Sequence, residues 1–214
     1  IIRLATVLAR EILDPKEADE DVIPLVAPKS AGRHGPPPQL IQLPNLTREA
    51  EYVARNLHRL QREKGYQWSA MAVISRARFI ADTVARELER CGIPVQVQNR
   101  AKPGKSEAEV DAVRMLTMHS SKGLEFPVVA IPGIGYLPFA KSEESEEARL
   151  MYVAMTRSLE HLIMTGHRPS SFIQKLEALS DTKGQIAGQD HADKANAEEV
   201  PAASGPDKRR GLWS

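Results

Sequence analysis

LTMHSSKGLEF, residues 116–126, decides how the rest of the chain is read. It follows the apolar run Val113–Leu116 and precedes a second one, Val128–Ile131. Both runs have the length of short buried strands, the first interrupted by Arg114. Between them lie a histidine, two serines, a lysine, a glycine and a glutamate. A buried strand that ends in so dense a polar set suggests a binding loop, because parallel α/β sheets hold ligands at the carboxyl ends of their strands.

Upstream, Met71–Ile74 and Ile93–Gln98 read as strands. Between them, Ile80, Val84, Leu88 and Cys91 mark one face of a helix that Gly92 closes. Leu40–Leu43 is a short strand candidate. The helix after it, with Ala50, Val53, Ala54, Leu57 and Leu60 on one face, takes Thr47 as its N-cap. Downstream, 143–157 reads as a helix with acids in its first turn, where they suit the helix dipole. Apolar residues Leu150, Met151, Val153, Ala154 and Met155 wrap most of that helix, which predicts extensive burial and leaves Arg157 in need of an anion or an exit to solvent. His161–Gly166 is a strand and Ser170–Leu179 a helix. The alternation predicts an α/β domain with a mostly parallel sheet flanked by helices.

Three segments follow. Residues 1–39 form a leading helix (Ile1–Leu13) and an acidic, then proline-rich, linker. Residues 40–180 form the domain. Residues 181–214, rich in Ala, Gly, Asp, Lys and Gln, form a low-complexity tail expected to be disordered. The chain opens on Ile1 rather than Met, as would a piece of a longer protein or a chain that has lost a leader or tag. Lys plus Arg (29) almost cancels Asp plus Glu (28), so any nucleic-acid surface is a local patch. The one cysteine, Cys91, excludes an internal disulfide framework and a multi-cysteine zinc site. Together with the lack of any apolar run of membrane length, it predicts a cytoplasmic protein. His34, His58, His161, His167 and His191 are scattered without ligand spacing, so no metal site is expected among them.

Three polar clusters remain: Ser75–Arg78, His119–Glu125 and the helix end at Arg157. Arg76, Lys122 and Arg157 could converge on a polyanion such as a nucleoside triphosphate, since a guanidinium is always charged and grips two phosphate oxygens at once. Glu125 could accept hydrogen bonds from ribose hydroxyls.

Taken in order, these segments carry a resemblance. LTMHSSKGLEF followed by PVVAIPGI, then EEARLMYVAMTRSLEHLIMTG, closely resembles motifs V and VI of the UvrD/Rep-type superfamily 1 DNA helicases. AVISRARFIADTVARELERCGIPV resembles motif IV and its helix. The likeness runs from about Leu40 to about Leu176. It implies the RecA-like fold of the C-terminal motor domain and ATP-dependent translocation on single-stranded DNA in the 3′ to 5′ direction. It implies that Arg157 is an arginine finger and that Arg76 also reaches the γ-phosphate. Glu125 would contact the ATP ribose, and Lys122 and Gly123 would border the nucleotide. Thr117 and His119 would face single-stranded DNA, and Tyr152 would pack.

The sequence departs from that family in three places. Its best Walker A candidate, NRAKPGKS, has Asn99 where the first glycine belongs and lies in the wrong order, so it reads as a loop. No strand ends in a metal-binding acidic pair. The phosphate cradle and Mg²⁺ are therefore expected on an N-terminal RecA-like partner domain, and this chain alone is expected to be inactive. Only about twenty residues separate Gln98 from Thr117, too few for the domain that relatives insert there. Ser75 stands where many relatives carry an adenine-stacking aromatic. Two alternatives remain: a non-catalytic nucleic-acid-binding or interaction module, and, less favoured, a nuclease-linked helicase.

Overall fold

In the computed structural model of the chain, residues 1, 4–8, 36–97, 110–139 and 142–181 are described. Six strands form one sheet: β1 (Gln39–Gln42), β2 (Met71–Ser75), β3 (Val95–Val97), β4 (Val113–Thr117), β5 (Phe126–Ile131) and β6 (Ser158–Gly166). Their order is β1-β6-β5-β2-β4-β3, and every pairing is parallel. The helices are α1 (Leu46–Lys64), α2 (Arg78–Arg90), α3 (Glu144–Thr156) and α4 (Ser171–Asp181).

Local chemistry sets the helix limits. Asn45 caps α1, its side chain accepting from the Arg48 N–H at 2.9 Å. The sequence reading placed the cap at Thr47. Asn45 takes the role because its own backbone is extended while the next residue is already helical. Gly65, in the left-handed region, closes the other end. Buried Ala50, Val53, Ala54, Leu57 and Leu60 turn one stripe of α1 inward. Ile80, Val84 and Leu88 do the same for α2.

The sheet separates two cores. On one face α1 and α2 bury Leu57 and Leu88 against Met71, Val73, Val113 and Val128. On the other, α3, α4 and the turn at 4–8 bury Met151, Met155, Phe172 and Leu8 against Ile74, Leu116, Val129 and Met164. Each fully buried Leu, Ile, Phe or Met contributes about 1.5–3 kcal/mol.

Two strands start earlier than their apolar runs. β5 begins at Phe126, whose N–H donates to the Arg157 carbonyl at 2.9 Å. β6 begins at Ser158, which pairs with Phe126. The helix 143–157 is also less enclosed than its composition suggests. Glu147, Ala148, Met151, Ala154 and Met155 face the core, whereas Leu150, Tyr152 and Val153 are half-buried. Of the predicted helix Ile1–Leu13, residues 4–8 are helical and 2–3 and 9–13 lie outside the described residues. So do most of the linker, the NRAKPGKS loop and the tail beyond 181.

The path after β4 positions the site. Thr117 pairs with Ser75 at the carboxyl end of the sheet, and Phe126 pairs with Ser158 at the opposite end. Residues 118–125 therefore run back along one face of the sheet, the face that α3 also covers.

Candidate functional site

The segment 117–123 is a tight turn made by its own hydroxyls. Ser120 Oγ accepts from the Thr117 N–H at 2.9 Å and from the Thr117 hydroxyl at 3.0 Å, and donates to the Thr117 carbonyl at 3.2 Å. Thr117 Oγ1 in turn accepts from the Ser120 N–H at 3.1 Å. Buried Ser121 donates to the Met118 carbonyl at 2.8 Å, and the Met118 N–H donates to Ser75 at 3.1 Å, extending the β2–β4 ladder. Gly123 has φ +82, a conformation that side-chain-bearing residues rarely adopt. This bracing leaves His119, Lys122, Gly123 and Glu125 exposed along one edge. Glu125 makes no hydrogen bond or ion pair with a described residue.

Helix α3 meets an arginine at each end, Arg76 from the loop after β2 and Arg157 at its own C-terminus, and the two are held differently. At its start, Arg76 grips Glu147 with two nitrogens: Nε lies 3.0 Å from each carboxylate oxygen and Nη2 2.8 Å from Oε1. The Glu147 side chain is 0% exposed and that of Arg76 23%. Arg76 also stands 5.5 Å from the centre of the Phe139 ring. At the other end, Arg157 caps α3. Its Nε donates to the Val153 carbonyl at 3.1 Å, Nη1 to the Leu124 carbonyl at 3.1 Å and Nη2 to Thr156 Oγ1 at 3.3 Å. Arg157 is half-buried, so it keeps the solvent exit expected for it, while two backbone carbonyls and a hydroxyl hold it in place; its charge has no carboxylate partner among the described residues.

Arg76 and Arg157 do not meet. Glu147 and Arg157 are about ten residues apart on one helix, roughly 15 Å of rise. The structure does bring Arg157 to the motif V segment, because Leu124 O directly precedes Glu125 and the Phe126 N–H directly follows it. Lys122 is exposed on the intervening turn. Ser75 is 1% exposed, so it presents no surface to a base. Tyr152 is half-buried and packs on the core, as expected.

Two buried carboxylates escaped the sequence reading. Glu147 looked like an ordinary first-turn acid. Glu49, 0% exposed on α1, accepts from the Gly133 N–H at 2.8 Å and the Thr165 hydroxyl at 2.5 Å, and meets His167 Nδ1 at 2.5 Å. It ties α1 to the ends of β5 and β6. Among the described histidines, His58 bonds the Cys91 carbonyl at 2.9 Å and His167 meets Glu49. Burial holds the His161 imidazole below its ordinary value. No group of three or more His, Cys, Asp or Glu among the described residues could hold a metal ion. None of the described helices is long and apolar enough to cross a membrane.

Residues 98–169 match the model of the UvrD-like helicase C-terminal domain. The chain is 46% identical over 68 residues to the ATP-dependent DNA helicase Rep of Escherichia coli, covering 29% of this chain and 10% of that protein. It is 39% identical over 95 residues to DNA helicase II of Escherichia coli, covering 36% of this chain and 13% of that protein. The aligned segments thus span about a tenth of the length of these relatives. The fold is similar to the crystal structure of the C-terminal domain of a possible DNA helicase from Lactobacillus plantarum, with a TM-score of 0.57 and 17% identity over 81% of this chain and 91% of that one. That likeness is one of fold, and it agrees with the parallel, helix-flanked RecA-like sheet.

Proposed function

We propose that this chain, which carries a UvrD/Rep-type helicase C-terminal domain, works as the C-terminal motor domain of an ATP-dependent helicase moving 3′ to 5′ along single-stranded DNA. The observation that supports this most is the tie between Arg157 and the segment around Glu125. Arg157 donates to the residue before Glu125, and its carbonyl accepts from the residue after it. A guanidinium is thus fixed to the backbone on either side of an exposed glutamate, which suits a nucleotide bound by both its phosphates and its ribose.

In this reading Glu125 accepts from the ribose hydroxyls, and Lys122 and Gly123 border the nucleotide. Arg157 is the arginine finger, its cation facing the oxygens that gain charge as the phosphoryl group departs. Arg76, locked to Glu147 at the other end of α3, reaches the nucleotide only when that ion pair opens, and Thr117 and His119 face the single strand. ATP supplies the phosphoryl group whose hydrolysis drives the cycle. The acids and phosphate cradle that hold its Mg²⁺ belong to an N-terminal RecA-like domain. Closing and opening of the two domains then moves them along the strand.

The test is ATP turnover by the full-length protein with and without single-stranded DNA, beside the 214-residue chain alone. The expected result is DNA-stimulated hydrolysis by the former and none above background by the latter. A folded full-length protein without turnover sinks the motor reading.

A second reading, a non-catalytic nucleic-acid module, is favoured by one observation. Arg76 already has its charge met by a buried carboxylate, so its role can be structural. The same turnover assay decides between the two.

A further inference from the structure

The outer surface of α1 carries an arginine row that neither the nucleotide site nor the strand-facing turn uses. At 3.6 residues per turn, Arg48, Arg55, Arg59 and Arg62 fall within about 60° of one another, opposite the buried stripe of Ala50, Val53, Leu57 and Leu60. All four are exposed. From Arg48 to Arg62 the row is roughly 21 Å long. We propose that this row is a docking surface for the phosphate backbone of double-stranded DNA.

A charged helix face is ordinarily a solvated one. The crest of α2 is of that kind, since Asp82, Arg86 and Glu89 alternate in sign along it. The crest of α1 is not, once the acids near it are placed. Glu49 is buried beneath α1 and meets His167. Glu51 pairs with Arg48 at 2.6 Å. Glu87 of α2 pairs with Arg90 at 2.6 Å. Glu160 of β6 accepts from the Tyr66 hydroxyl. Exposed Glu63 stands at the flank of the row, next to exposed Lys64. Arg55 and Arg62 form no ion pair with a described residue, so the row keeps a net positive charge. Arg59 is held in place: its Nη2 donates to Asn56 Oδ1 at 2.8 Å, and Asn56, 7% exposed, donates to the Tyr52 carbonyl at 2.9 Å. A buried amide thus fixes one guanidinium of the row.

The chemistry of the crest selects the partner. Guanidiniums grip phosphate oxygens two at a time. The crest offers no apolar anchor of the kind that holds a protein interface. Its one aromatic, Tyr52, is half-buried at the margin, so it has no exposed ring on which the bases of a single strand could stack. A straight, rigid row of cations suits the evenly spaced phosphates of a duplex and binds them without reading sequence. Helix α1 follows the carboxyl end of β1, and all strands of the sheet run parallel. The row therefore starts on the rim that carries Thr117. DNA as the partner is carried over from the proposed function.

The experiment measures binding of a short fluorescent duplex to the 214-residue chain by anisotropy across a salt series, without nucleotide. The double variant Arg55→Gln with Arg62→Gln is compared with wild type and with Arg86→Gln on the crest of α2. All three positions are exposed, and circular dichroism checks the fold. A single strand of the same length and a fluorescent oligoglutamate run alongside. Each arginine lost from the row is expected to weaken duplex binding about 5- to 10-fold near 0.1 M salt and to flatten the slope of log affinity against log salt by about 1. Arg86→Gln is expected to stay near wild type, and the single strand to lose less than the duplex. Unchanged duplex affinity in the double variant overturns the surface, as does an equal loss per charge in Arg86→Gln or an equal loss for the single strand. Oligoglutamate binding that the double variant abolishes, with duplex binding unchanged, reassigns the row to an acidic protein and overturns it as well. No duplex binding by the wild type overturns it outright. These failures leave the motor reading to its own turnover assay. A full-length protein without turnover, whose chain still binds duplex through the row, sinks the motor and keeps the surface.

Discussion

Helix α3 begins and ends on the same chemistry and treats it in opposite ways. At its start the Arg76 guanidinium is locked to a carboxylate with no exposure to water. At its end the Arg157 guanidinium rests on carbonyl dipoles and keeps a full net charge. A carboxylate cancels a cation; carbonyls orient it without cancelling it. The first arrangement suits a cation that holds two elements together, and the second suits one that waits for an anion.

Five variants sharpen or break that contrast, from the largest effect down. Arg157→Ala in the full-length protein is expected to lower ATP turnover by roughly a thousandfold or more, the scale of an arginine finger, while its three lost hydrogen bonds cost about 1–3 kcal/mol of stability. Turnover within threefold of wild type would remove Arg157 from the transition state. Arg76→Ala is expected to cost about 3–5 kcal/mol in chemical denaturation, because it strands Glu147 as a buried unpaired charge. Glu147→Ala should cost less, since Arg76 retains partial access to water. Equal stability of Arg76→Ala and wild type would refute the clamp. Lys175→Ala breaks another pair at the same end of α3, Lys175 to Glu144 at 2.9 Å, but both side chains are partly exposed. It should cost no more than about 1 kcal/mol; a larger loss would show that burial does not set the difference.

The smallest effect concerns pH. His161, just past Arg157 on β6, is held below its ordinary value of 6.5, chiefly by burial. Its neutral form is the one the fold favours. Its contribution is complete above pH 6.5 and is lost as pH falls through the folded value. His161→Gln should flatten the fall in unfolding free energy below pH 6.5. An unchanged slope would assign the acid sensitivity elsewhere.

Much of this architecture was legible because buried parallel strands announce themselves as short apolar runs and the helices between them as single stripes. The turn at 117–125 was legible as a site because so many polar side chains have no reason to follow a buried strand. The grip on Arg157 was not, because the oxygens of Leu124 and Val153 belong to the backbone and leave no mark in the side-chain alphabet. Glu147 and Glu49 were hidden by position: an acid in a first turn already has an explanation in the helix dipole, so its burial went unsuspected. The early start of β6 was masked by the polar Ser158 and Glu160 within it.

The sheet order has a consequence for synthesis on the ribosome. β1 pairs only with β6, so the first strand of the domain to emerge waits for the last. Until Ser158–Gly166 has left the exit tunnel, Leu40 has no neighbour and Glu49 lacks both Thr165 and His167. The hydroxyl-braced turn at 117–123 can form far sooner, from contacts within a few residues. Long-range parallel pairing is the slow step of such topologies. A nascent chain arrested before β6 would therefore hold a finished turn on an open sheet, a state for chaperones to shield.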